Sequence, residues 1–298
     1  MTTLREIQMR DPYVLRDGEY YYLFGSTDKD IWQGPGVGFD VYRGVAPGVF
    51  TEFDGPHPAF RPPDGFWSVT NFWAPEVYAH DGGYVMFATF KPIDGSRGTA
   101  VLRSASLTGP FVPWSEGPVT PSGWECVDGT LFVDDAGDPW MVFCREWQQV
   151  GDGQILAMRL TPDLRAAAGE PRLLFTASQA LWAAPLQGSA PGSYVTDGPF
   201  AYRGRQGRLS LLWSSFGPEG NYCIGEATSL SGTVEGPWEQ RDQPLYEADG
   251  GHGMLFTAPD GTLYLAIHTP NASPDERPIF VALKDTDAGL VATENVLS

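Results

Sequence analysis

Four carboxylates and one histidine stand at the head of similar segments of this chain: Asp11, Glu76, Asp128, Asp197 and His252. Like charges held close together disfavour joint ionisation. A cluster of this kind therefore either binds a cation or separates its pKa values for acid–base work. Asp17, Asp81 and Asp260 each precede a glycine further along the same segments. They read as turn formers, because an Asx side chain bonds its own local backbone.

The segments that carry these residues repeat. Each is a short apolar run, a Gly-containing turn and a second run rich in aromatic and β-branched residues, which together signal a β-hairpin. The heads fall at 11, 76, 128, 197 and 252, a period of 52–69 residues, with further strand-like runs at 98–104, 154–160 and 221–227. Five such units predict an all-β, five-bladed β-propeller of four-stranded antiparallel blades, one domain over 1–298. Only 161–168 reads as a short helix. First strands of a propeller line its central channel and start at one end, so the five heads should meet at one mouth. The second strand returns to that mouth, bringing Glu146 beside Asp128 and carrying His268 back in the same way. Trp147 next to Glu146 would raise its pKa by desolvation. Trp73, and secondarily Phe72, offer an aromatic face to the C–H side of a sugar ring. Arg10 and Arg145 adjoin candidate carboxylates and would hold them ionised.

The composition limits the partners. Asp and Glu number 37 against 19 Lys and Arg, a formal net charge of −18. That charge argues against nucleic acid and against an anionic membrane surface, both of which need a basic face. The protein should act on a neutral or cationic small partner. Cys126, Cys144 and Cys223 show no metal or disulfide spacing and read as buried free thiols. With no basic and apolar leader at the N-terminus, a cytoplasmic protein is expected. The oligomeric state is left open.

The motifs around Arg10-Asp11-Pro12, Trp73 to Glu76, Val127-Asp128-Gly129, Asp197-Gly198-Pro199 and Gly251-His252-Gly253, one per blade and in order, resemble glycoside hydrolase family 43. That resemblance implies an inverting glycosidase acting on arabinofuranosides, xylosides and related sugars, with α-L-arabinofuranoside favoured and β-xyloside or galactofuranoside close. It implies Asp11 as general base and Asp128 as the residue that tunes the acid. The family's acid is a Glu before Gly-Pro, whereas this chain has Asp197, one methylene shorter. Asp197 is taken ahead of Glu146 as the acid, and Glu76 joins Trp73 and Arg10 among the substrate-binding residues. No cofactor is required by the resemblance, although it admits a calcium or sodium ion in the channel, held with His252. The shortened residue 197 also prompts an alternative, a sugar-binding propeller impaired in catalysis. A phosphorylase is a third reading.

Overall fold

The computed structural model describes residues 1–298 apart from the side chain of Arg205. Its strands form five sheets, each a run of consecutive antiparallel neighbours. Blade 1 holds β1 (Thr2–Thr3), β2 (Arg10–Asp17), β3 (Tyr20–Ser26), β4 (Phe39–Gly44) and β5 (Glu52–Phe60). Blade 2 holds β6 (Thr70–His80), β7 (Gly83–Lys91), β8 (Gly98–Ser104) and β9 (Val112–Pro113). Blade 3 holds β10 (Cys126–Val133), β11 (Pro139–Arg145), β12 (Gln154–Arg159) and β13 (Arg172–Thr176). Blade 4 holds β14 (Asp197–Arg203), β15 (Leu209–Phe216), β16 (Tyr222–Ser229) and β17 (Trp238–Gln240). Blade 5 holds β18 (Gly251–Thr257), β19 (Leu263–Thr269), β20 (Arg277–Thr286) and β21 (Gly289–Leu297). The predicted propeller is what the chain forms, and β1 adds a short outer strand to blade 1 by pairing with β5.

Aromatic side chains of alternate strand positions fill the wedges between blades. Phe24, Phe39, Phe60, Phe72 and Phe90 are fully buried in one cluster. Trp140, Trp182 and Trp213 belong to another, with the rings of Trp182 and Trp213 4.7 Å apart. The ring of blades is joined by Tyr21 of blade 1, whose hydroxyl donates to the Thr257 carbonyl of blade 5 over 3.0 Å. The helix expected over 161–168 does not form. Leu160 and Ala167 make an isolated bridge around a turn in which Leu164 has φ 62°. The α-helical segment is instead a single turn, α1 (Trp147–Val150).

A repeated bulge sets the mouth of the channel. Near the start of each first strand the ladder skips two residues, between 10 and 13, 73 and 76, 127 and 130, 197 and 200, and 251 and 254. The first skipped residue is left-handed in every blade: Asp11 (φ 54°), Ala74 (47°), Asp128 (58°), Gly198 (50°) and His252 (47°). The next is Pro or Gly. Such a bulge re-aims the side chain it carries. The register taken from the carboxylates is therefore corrected in two blades. Ala74, not Glu76, corresponds to Asp11, and Asp197 lies one residue before its blade's bulge.

Candidate active site

Three of the bulge residues, Asp11, Asp128 and His252, face one another at the channel mouth. His252 Nδ1 lies 3.1 Å from Asp11 Oδ1 and 3.8 Å from Asp128 Oδ2. Its ring rests on Gly198, where an added Cβ would come within 2.6 Å of the imidazole, so blade 4 carries Gly at its bulge. Burial disfavours the His252 cation, but Asp11, Asp128 and Asp197 outweigh it and raise the pKa above the ordinary value. The ring lies within ion-pair distance of the Asp11 carboxylate.

Asp11 is the ionised member. Burial pushes its carboxyl up, yet His252, Arg10 and the Ser26 hydroxyl, which donates over 2.5 Å, hold it below the ordinary carboxylate value. His268 acts differently from His252. It is fully buried, and desolvation and the Arg10 charge depress its pKa to about 3. Its neutral Nδ1 accepts the Asp11 backbone N–H over 3.2 Å, leaving Nε2–H to donate to Asn271 Oδ1 over 3.2 Å. The 3.6 Å approach of His268 Nδ1 to the Asp11 carboxylate is accordingly no ion pair.

The remaining carboxyls are shifted toward the protonated form. Asp128 is raised to about 7 by burial and by the charges of Asp197 and Asp11, against the pull of His252. Asp197 is raised by burial, against His252 and the Tyr222 hydroxyl that donates to its Oδ2 over 2.9 Å. Glu146, the residue between β11 and α1, is raised to about 8 by burial, opposed by Arg97, whose Nη2 lies 3.4 Å from its Oε2.

A cavity of about 270 Å³ opens on these four carboxyls. Asp11, Asp128, Asp197, Glu146, Trp73, Arg10 and His252 line it together, as the sequence predicted. Three other expectations are corrected. Glu76 sits deeper in the channel, where the Tyr78 hydroxyl donates to it and burial raises it to about 7. The bulge two residues earlier puts it there. Phe72 alternates with Trp73 on β6 and so points into the core, fully buried against Phe39, Phe60 and Phe90. Arg145 alternates with Glu146 and points away, its guanidinium 3.9 Å over the Trp124 ring and bonded to Gln149.

The sequence reading missed Arg97, Tyr222, Trp32 and Asn271, all lining the cavity. They lie at or beside the loops from second to third strands, which a four-stranded blade also delivers to this mouth. Arg97 is held by Glu125 at 2.8 Å and Gln148 at 2.6 Å and covers the Trp73 ring at 5.4 Å. The Trp73 indole N–H donates to the Ile31 carbonyl over 2.6 Å, and its ring meets Trp32 edge-on at 5.3 Å.

Among the described residues no group of three His, Cys, Asp or Glu side chains is placed to hold a metal.

The model of glycosyl hydrolases family 43 matches residues 4–280. The structure of an endo-arabinase from Bacteroides thetaiotaomicron superimposes with a TM-score of 0.86 at 39% identity, over 96% of this chain and 97% of that one. The extracellular exo-α-(1→5)-L-arabinofuranosidase ArbA of Cellvibrio japonicus is 22% identical over 90% of this chain and 81% of its own length. Xylosidase/arabinosidase 43B of Humicola insolens is 26% identical over 86% of this chain and 46% of its own length. The cytoplasmic placement expected above is overturned by the Cellvibrio relative, which is extracellular.

Proposed function

The chain belongs to glycosyl hydrolases family 43 and is a glycosidase acting on oligosaccharides; within that activity we propose that it releases terminal α-L-arabinofuranosyl residues with inversion. The observation that carries this reading is the contrast across one cavity between a carboxylate held ionised, Asp11, and carboxyls held toward protonation on blades 3 and 4. Inversion needs that pair on opposite faces of the sugar, about 6.5–9.5 Å apart. Asp11 takes a proton from water as the water attacks the anomeric carbon. A carboxylic acid on the other side gives its proton to the departing glycosidic oxygen.

Asp197 is the acid in this reading. Tyr222 occupies its Oδ2 and leaves Oδ1 for the proton. Glu146 is raised as well, to about 8, but its Oε2 faces the Arg97 guanidinium at 3.4 Å, which suits it to binding. Asp128 is the electrostatic neighbour of the acid, since the charge of Asp197 raises the Asp128 pKa. The cavity is at the small end for ligand sites, which run about 300–1,000 Å³, and this favours a single terminal sugar. The arabinofuranosyl preference rests on the arabinose-acting relatives.

Aryl α-L-arabinofuranoside, β-xyloside and galactofuranoside, offered side by side, test the sugar. Proton NMR of the first anomer formed tests the stereochemistry, and a retained product would sink the mechanism. Sugar binding without turnover of any substrate would instead favour an impaired, lectin-like propeller. Phosphate-dependent turnover would mark a phosphorylase.

A further inference from the structure

Trp147 is distinctive among the ten tryptophans. Each of the other nine has a ring partner, an overlying arginine or a hydrogen bond to its indole nitrogen. Trp32 and Trp73 pair with each other, Trp114 bonds Asp163, Trp140 bonds Asp134, and Trp182 packs on Trp213. Among the described residues the Trp147 indole has none of these and joins no core cluster, yet it lines the cavity.

The turn that presents it is firmly held. Gln148 accepts from Arg97 over 2.6 Å. Gln149 accepts from Arg145 over 2.9 Å and donates to the Gly123 carbonyl over 2.9 Å. Two adjacent side chains thus anchor α1 while the third is left free at the mouth. Leu186 and Phe216 line the same cavity. The Leu186 loop is stitched to the Trp147 loop, since Gly153 N–H donates to the Tyr194 carbonyl over 2.8 Å and Tyr194 N–H to the Gly151 carbonyl over 3.1 Å. It is stitched to blade 4 as well, by Ala184 N–H on the Phe216 carbonyl at 2.8 Å.

This apolar wall flanks both carboxyls on the acid side. Trp147 follows Glu146 directly, and Phe216 packs at 5.3 Å on Tyr222, whose hydroxyl holds Asp197. In an inverting cleavage the leaving oxygen must lie beside the acid and away from Asp11. We propose that Trp147, with Leu186 and Phe216, is the platform on which the departing sugar stacks. The placement is the same whether Asp197 or Glu146 gives the proton. It deepens, and rests on, the inverting arabinofuranosidase reading above.

Two substrates with alcohol leaving groups test it: methyl α-L-arabinofuranoside, which has no second ring, and α-(1→5)-linked arabinobiose, which has one. W147A should lower kcat/KM for arabinobiose about tenfold more than for the methyl glycoside, the loss of one aromatic contact. W147F should restore most of the difference. L186A should shift the ratio in the same direction by a smaller factor, and it serves as the second variant should W147A melt early. An unchanged ratio in both alanine variants, with wild type active on both substrates, overturns the platform and leaves the arabinofuranosidase reading standing. A wild type that cleaves neither arabinoside but cleaves a xyloside overturns that reading and the arabinobiose platform with it.

Discussion

The Gly198 backbone N–H donates to Asp128 Oδ2 over 3.1 Å, joining blade 4 to blade 3 through a carboxylate that lines the cavity. At the other four junctions the bulge N–H is taken by a second-strand side chain of the preceding blade. Ala74 bonds Ser26, Asp128 bonds Thr89, His252 bonds Ser214 and Asp11 bonds His268. The corresponding residue of blade 3 is Cys144, paired with Val127 in the ladder, and a thiol is a weak acceptor. Asp128 thus serves as fastener and as electrostatic neighbour of the acid. D128N keeps an oxygen for Gly198 and, near pH 4 where the folded Asp128 is itself protonated, should unfold near the wild-type urea midpoint, while kcat falls about 10²–10⁴-fold. D128A orphans the buried N–H and should cost about 1–3 kcal/mol. Adding C144S should recover part of that loss, because its hydroxyl completes the ring. No rescue would mean that the ring is not what D128A breaks.

Tyr222 offers a way to tell which carboxyl is the acid. Its hydroxyl favours the ionised form of Asp197, so Y222F should raise the Asp197 pKa further. The alkaline limb of kcat/KM against pH should then move to higher pH while the acidic limb, set by Asp11, stays in place. An alkaline limb that ignores Y222F would point to Glu146, whose pKa of about 8 is set by burial and Arg97.

Arg97 and Glu146 form a pair in which both side chains are less than a tenth exposed. Removing one partner of such a pair strands the other, typically at about 3–5 kcal/mol. R97M should therefore be destabilised at pH 9, where Glu146 must either stay charged and unpaired or take up a proton to stay folded. It should be less so at pH 6, where Glu146 is protonated with or without Arg97, because its wild-type pKa is about 8 and losing the guanidinium only raises it. R97M/E146Q should recover stability at pH 9. Urea titrations of the three proteins at the two pH values measure the coupling, and equal losses at both would show that Glu146 is not the stranded group.

How far the site was legible follows from what repeats. The hairpin period exposed five blades, because each blade must form the same strand–turn–strand unit. Asp11, Asp128 and His252 were legible because a chemically conspicuous residue occupies the bulge. Ala74 was hidden, since an uncharged residue at the same bulge leaves no mark, and the nearby Glu76 was put in its place. Gly198 was hidden for the same reason behind Asp197. The better landmark is backbone: a left-handed residue followed by Pro or Gly, with a Ser, Thr, His or Cys opposite on the second strand. Strand alternation would also have separated Phe72 from Trp73 and Arg145 from Glu146. Arg97, Trp32 and Asn271 come from irregular loops, whose course no period encodes.

Glu76, displaced from the mouth, leaves its signature in stability. Burial lifts its carboxyl from 4.5 to about 7, so the folded chain prefers it protonated. Below the unfolded value the preference has no effect, since both states hold the proton. As pH rises from 4.5 to about 7 the folded chain binds more protons than the unfolded one, and stability falls. Asp128 and Glu146 act in the same direction, so the wild-type curve alone does not isolate Glu76. E76Q does. It is neutral at every pH and keeps an oxygen to accept from Tyr78. Near pH 4 the two proteins should unfold at similar urea concentrations. At pH 8 E76Q should be the more stable, by at most about 3 kcal/mol if the whole shift is expressed. A variant less stable than wild type by the same amount at both pH values would mean that the Glu76 charge is not what the channel resists.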